Sequence, residues 1–121
     1  MLMCLSGALG TACRYGFSAW AAERFGSAFP YGTFGVNFAG SFLMAALVYL
    51  GTNTTLLSPS AWLALTTGVM GGFTTYSTFS YETFRYLQQG AYGLAALNVG
   101  VTVAACLLAC FLGFAAARAL F

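Results

Sequence analysis

Amides, hydroxyls and one isolated arginine are the groups in this chain that could do chemistry. Thr33, Asn37 and Ser41 stand four residues apart, and so do Asn98, Thr102, Cys106 and Cys110. Residues three and four apart share one face of a helix, so each series forms a polar stripe. A third stripe carries Tyr76, Phe79 and Thr83, with Ser77 and Ser80 beside it. Amide and hydroxyl groups donate hydrogen bonds, and Arg14 adds positive potential; no carboxylate lies in the stripes, Glu82 standing toward the end of the third stretch. A lining rich in donors and poor in fixed negative charge suits an anion. Aromatic rings suit it as well, because the ring edge carries the positive part of the quadrupole. Any single Ser or Thr is more often a helix-packing residue. The two amides are harder to satisfy, and an intramembrane charge such as Arg14 is costly and usually functional. This chemistry reaches a small-anion pathway and stops there.

The elements that must position these groups follow from composition. Of 121 residues 60% are hydrophobic and 5% charged, and Lys, Asp and His are absent. Soluble domains carry about a quarter charged residues; six charges, Arg14, Glu23, Arg24, Glu82, Arg85 and Arg118, cannot give a water-compatible surface. The chain reads as an all-α integral membrane protein. With neither His nor Asp, it offers no nucleophile–base pair for an enzyme. A net charge of +2 spread this thinly offers nothing to nucleic acid. Cys4, Cys13, Cys106 and Cys110 lack disulfide-framework spacing and read as small packing residues. The first apolar stretch has no basic n-region and is too long for a signal peptide, so it reads as a retained span.

Crossing a bilayer takes about 20 helical residues. Four stretches qualify within a single domain over residues 1–121, at about 2–22, 31–50, 60–88 and 92–117. Ser58 and Pro59 form an N-cap and first-turn pair ahead of the third. That third span is too long for one simple crossing and carries Gly68, Gly71 and Gly72 near its middle. Glycine inside a helix costs about 1 kcal/mol relative to alanine. The run "GVMGGFTTYSTFSYE" therefore predicts two half-helices, about 60–70 and 77–88, joined by an unwound segment. Irregular backbone at membrane depth must be covered by protein or line a cavity. Four short spans protect little volume, so a dimer is the economical cover. Arg24 and Arg85 fall on one side and Arg118 on the other; so slight a bias leaves either orientation open, and an antiparallel pair follows naturally.

Taken together, "GALGTACRY", "GTFGVNFAGSF", "GVMGGFTTYSTFSYE" and the striped last span resemble the small bacterial fluoride channels of the CrcB (Fluc) family over nearly the whole length. The resemblance implies an antiparallel, dual-topology homodimer of four-helix subunits with a broken third helix, in the cell inner (plasma) membrane, with two fluoride pathways. It implies a structural sodium ion at the dimer centre, held by the backbone carbonyls of Gly71 and Thr74. It makes Asn37 a fluoride ligand and Phe79 one of two rings whose edges face the ion. The other ring, phenylalanine in the family, is Tyr76 here. Ser77, Ser80 and Thr102 would continue a hydroxyl track, with Asn98 nearby, although Cys106 and Cys110 stand where more polar residues are expected. Arg14 matches the family's first-span arginine and would tune potential at a vestibule.

The implied function is passive fluoride export that relieves fluoride toxicity, with fluoride, the bilayer and a second copy of the chain as partners. Two other classes compete. A small dual-topology drug or cation exporter needs a carboxylate embedded in its first span, where this chain has Arg14 and only reaches Glu23 at the end. A structural membrane subunit predicts that Asn37→Asp and Phe79→Ile change no transport, there being none.

Overall fold

A computed structural model describes residues Met1–Phe121, all helices and connecting turns. Two long helices open the chain, α1 (Leu2–Phe25) and α2 (Tyr31–Asn53), and α6 (Tyr92–Leu120) closes it. Between them come α3 (Pro59–Leu63), a π-helical stretch (Ala64–Met70), α4 (Gly71–Phe73) and α5 (Tyr76–Gln88). Ser58 caps α3 as its residue type suggests, its hydroxyl accepting from the Ala61 amide at 3.3 Å.

α2 and α6 are long and apolar enough to cross a bilayer. Only 17 of the 121 residues are buried, and Leu5, Leu9, Leu107 and Phe111 are among the large apolar side chains facing outward. Helices apolar all round belong in lipid or against other apolar surfaces, so the fold matches the membrane setting that composition demands.

α2 is the hub. It packs most extensively on α6 and also meets α1, the π stretch and α5. The two parts of the third span rest on different neighbours: the π stretch and α4 lie on α1, whereas α5 lies on α6. A straight helix could not serve both, and the break allows the change of direction.

The break is shorter and later than the glycines suggest. Helix runs unbroken from residue 59 to 73, and only Thr74 and Thr75 leave it. Gly71 is helical, at φ −62° and ψ −36°. The glycines instead let two backbones touch. A methyl group on Gly10 would overlap the Val69 carbonyl, one on Gly72 the Gly7 carbonyl, and one on Gly68 the Ser6 side chain. Small residues at such spacing let membrane helices approach closely, and that contact offsets the cost of helical glycine. The long helices also run a few residues past the expected ends, α1 to Phe25, α2 to Asn53 and α6 to Leu120.

Candidate functional site

Thr74 and Thr75 adopt extended backbone, φ −81° and ψ 160° for the first and φ −152° and ψ 109° for the second. Their polar groups need partners inside the fold. Thr74 turns back: its amide and its hydroxyl donate to the Met70 carbonyl at 3.0 and 2.9 Å. Thr75 turns to α2, where its amide donates to Asn37 Oδ1 at 2.7 Å and its carbonyl accepts from Asn37 Nδ2 at 3.0 Å. The Thr75 hydroxyl starts α5 by accepting from the Thr78 amide at 3.3 Å. Gly40 on α2 leaves room for the Thr74 methyl, which a side chain there would strike. The amides that would serve the Gly71 and Thr74 carbonyls in an unbroken helix, those of Thr75 and Thr78, donate instead to Asn37 Oδ1 and the Thr75 hydroxyl.

Beside this junction lies a cavity of about 350 Å³. Asn37, Ser41, Tyr76, Phe79 and Thr102 line it, together with Met44, Cys106 and Cys110. The Tyr76 and Phe79 rings sit 5.9 Å apart, tilted by 51°. Phe79 is buried, whereas Tyr76 is 80% exposed on the single chain. No charged residue contributes to the lining. Asn37 commits its oxygen and one amide hydrogen to Thr75; the second hydrogen of Nδ2 remains for a ligand.

A second cavity, about 550 Å³, opens near the α1–α2 turn and is lined by Thr33, Glu82, Arg85 and Tyr86 among others. Here the Thr33 hydroxyl donates to Glu82 Oε1 at 2.7 Å, and Glu82 Oε2 is buried without a partner. A hydrogen-bonded file runs from α5 across α6 to the first cavity. The Thr83 hydroxyl donates to the Phe79 carbonyl at 2.8 Å and accepts from Asn98 Nδ2 at 2.9 Å. Thr102 donates to Asn98 Oδ1 at 3.4 Å and lines the first cavity. Asn98 is 1% exposed, so its amide is satisfied by these threonines rather than by water.

The fold thus gathers Asn37, Ser41, Tyr76, Phe79 and Thr102 around one cavity, with Asn98 behind it and Thr33 at the other. It does not gather the rest. Ser77 and Ser80 lie on the exposed side of α5, because a helix turns residues one and two places from Phe79 off its buried face. Arg14 is half-buried in mid-α1 and lines neither cavity. One feature lies outside the stripes. Glu82 is a direct partner of Thr33, and its place three residues past Phe79 on α5 was the available signal. Cys106 and Cys110 line the cavity, Cys110 also meeting the Ser41 carbonyl of α2, and Cys4 and Cys13 are exposed.

The chain matches the family described as "CrcB-like protein, Camphor Resistance (CrcB)" over residues 1–114. It is 50% identical over 116 residues to the "Fluoride-specific ion channel FluC" of Sorangium cellulosum (strain So ce56), covering 96% of this chain and 91% of the relative. A protein of the same name from Geotalea daltonii is 50% identical over 112 residues, 93% of this chain and 90% of that one. One from Geotalea uraniireducens is 47% identical over 114 residues, 94% and 92% of the two chains.

Proposed function

Because the chain belongs to the CrcB-like family, we propose that it is a fluoride-specific ion channel through which fluoride leaves the cell passively. The observation that carries this reading is the uncharged cavity at the helix break, where Asn37, Ser41 and Thr102 meet the Tyr76 and Phe79 rings.

The physical logic needs no energy source beyond the gradient. Hydrogen fluoride is neutral, crosses bilayers, and ionises in a less acidic cytoplasm. An anion pathway then releases the trapped fluoride, helped by an inside-negative potential worth about 2.3 kcal/mol per charge per 100 mV. Fluoride loses its hydration to donors at close quarters: the free Asn37 amide hydrogen, the Ser41 hydroxyl, and the edges of the Tyr76 and Phe79 rings. Thr33 stands at the second cavity, and Arg14 biases the potential toward anions from α1.

In this reading four spans cross the inner membrane, the third being residues 59–88 with its break. A second copy packs antiparallel on the face that holds Gly71, exposed Tyr76, Ser77 and Ser80, so that the two serines complete the hydroxyl track at the partner. Sodium suits that face, because the break takes the usual helical donors away from the Gly71 and Thr74 carbonyls and hard cations take oxygen ligands. The ion would neutralise those dipoles and tie the two breaks together.

The deciding experiment is fluoride efflux from liposomes that hold the purified protein and potassium fluoride, with valinomycin clamping the potential and chloride-loaded vesicles in parallel. Fast fluoride release with little chloride release is expected. A reconstituted dimer that releases neither would remove the channel reading.

A further inference from the structure

Cys106 and Cys110 are free thiols one helical turn apart on α6, and they line the same uncharged cavity as Asn37 and Phe79. The Cys110 thiol donates to the Ser41 carbonyl at 3.4 Å, which holds it toward α2. Met44, also from α2, adds a thioether to that lining. Three soft sulfur donors are therefore gathered in a cavity whose other polar side chains carry hard oxygen and nitrogen groups.

The spacing decides what the thiols can do. Residues four apart on a helix have Cβ atoms about 5–6 Å from one another. A disulfide needs about 3.5–4.5 Å, so the pair cannot close one while α6 stays helical. Two metal–sulfur bonds of about 2.3 Å each span about 4.6 Å, which suits a single ion bridging the two sulfurs. Thiolate and thioether ligands select soft d10 cations.

We propose that Cys106 and Cys110 form a two-coordinate site for a soft monovalent d10 cation, of the class of Ag⁺ and Cu⁺, and that its occupation blocks the pathway. Binding is ligand exchange without redox change: two thiols and Ag⁺ give a bis-thiolate silver centre of charge −1 and release two protons. No charged residue lines this cavity. The bound centre thus places a negative charge where an anion must pass, and like charges in a low-dielectric setting repel strongly. The blocking half of the proposal rests on the channel reading, and the binding half does not.

Silver serves as the probe, in chloride-free buffer, since silver fluoride is soluble. Native mass spectrometry of the purified protein should count one silver ion per chain. The count should persist in the Cys4→Ser/Cys13→Ser variant and disappear in Cys106→Ser and in Cys110→Ser. In the unmodified chain, silver should shield Cys106 and Cys110 from maleimide labelling, a test that requires no variant to fold. Fluoride efflux from liposomes should fall at least tenfold with silver and recover with dithiothreitol. Unshielded thiols, or silver that stays bound without either cysteine, would overturn the site. Bound silver with undiminished efflux would overturn the block. A chain that conducts no fluoride even without silver would defeat the channel reading, while the silver count still decides the site.

Discussion

Asn37 and Thr75 form a reciprocal pair, the side-chain amide of one meeting the backbone amide and carbonyl of the other at 2.7 and 3.0 Å. The pair replaces, from α2, the hydrogen bonds that the third span loses at its break. Asn37→Asp keeps the acceptor for the Thr75 amide but sets a second acceptor against the Thr75 carbonyl. Losing a buried hydrogen bond this way costs about 1–3 kcal/mol. It also removes the amide hydrogen left for fluoride. Fluoride efflux should fall tenfold or more, the rate equivalent of about 1.4 kcal/mol, with the dimer intact by chromatographic mass. Undiminished efflux would take Asn37 off the pathway.

Tyr76→Phe tests the departure from the family's aromatic pair. The Tyr76 side chain is 80% exposed on the single chain, and its ring stays 5.9 Å from Phe79 whether or not it carries a hydroxyl. The substitution keeps the ring and its positive edge, so efflux should remain within about threefold of the parent. Abolished efflux in a folded dimer would show that the hydroxyl itself conducts.

The Thr33–Glu82 contact makes a different kind of claim. Thr33→Val keeps the shape and strands both carboxyl oxygens, Oε2 being already without a partner. Hydrogen bonds of this type contribute about 1–3 kcal/mol, so thermal stability in detergent should drop accordingly. Glu82→Leu alone should also destabilise, and the double variant should fall short of the sum by about 0.5–3 kcal/mol. Strict additivity would mean that the two residues do not act together.

These residues also mark how far the sequence could be followed. Helix spacing was enough to bring Asn37, Ser41, Phe79 and Thr102 into one lining, because stripes on α2, α5 and α6 can meet only if those helices pack together. The Ser58–Pro59 start was legible because capping is local. The place of the break was not. Gly68 and Gly72 look like helix breakers in one dimension, yet they are contact points for α1, and only the partner surface of Gly7 and Gly10 distinguishes the two uses. Thr74 and Thr75 carry no strong breaking propensity; Asn37, 38 residues from Thr75 in sequence, holds the extended backbone. The π-helical stretch 64–70, which lies against α1, is equally hidden, since no residue type marks it.

Two glycine substitutions separate the contact role from the interface role. Gly10→Ala would push a methyl group into the Val69 carbonyl, a backbone atom that cannot swing aside. Overpacking of that kind costs about 1–3 kcal/mol, so the unfolding midpoint should drop and the α1 contact with the third span should loosen. Gly71→Ala meets nothing within 4 Å on the single chain and keeps its helical dihedrals. Alanine is favoured there by about 1 kcal/mol of helix propensity, so the fold of the subunit should hold or firm slightly. The proposed second copy faces Gly71, and the added methyl should weaken that association and shift the dimer–monomer balance toward monomer on dilution in detergent. Mass photometry across a dilution series reads this directly. A Gly71→Ala dimer as tight as the parent would move the proposed interface, and the proposed sodium site with it, away from Gly71.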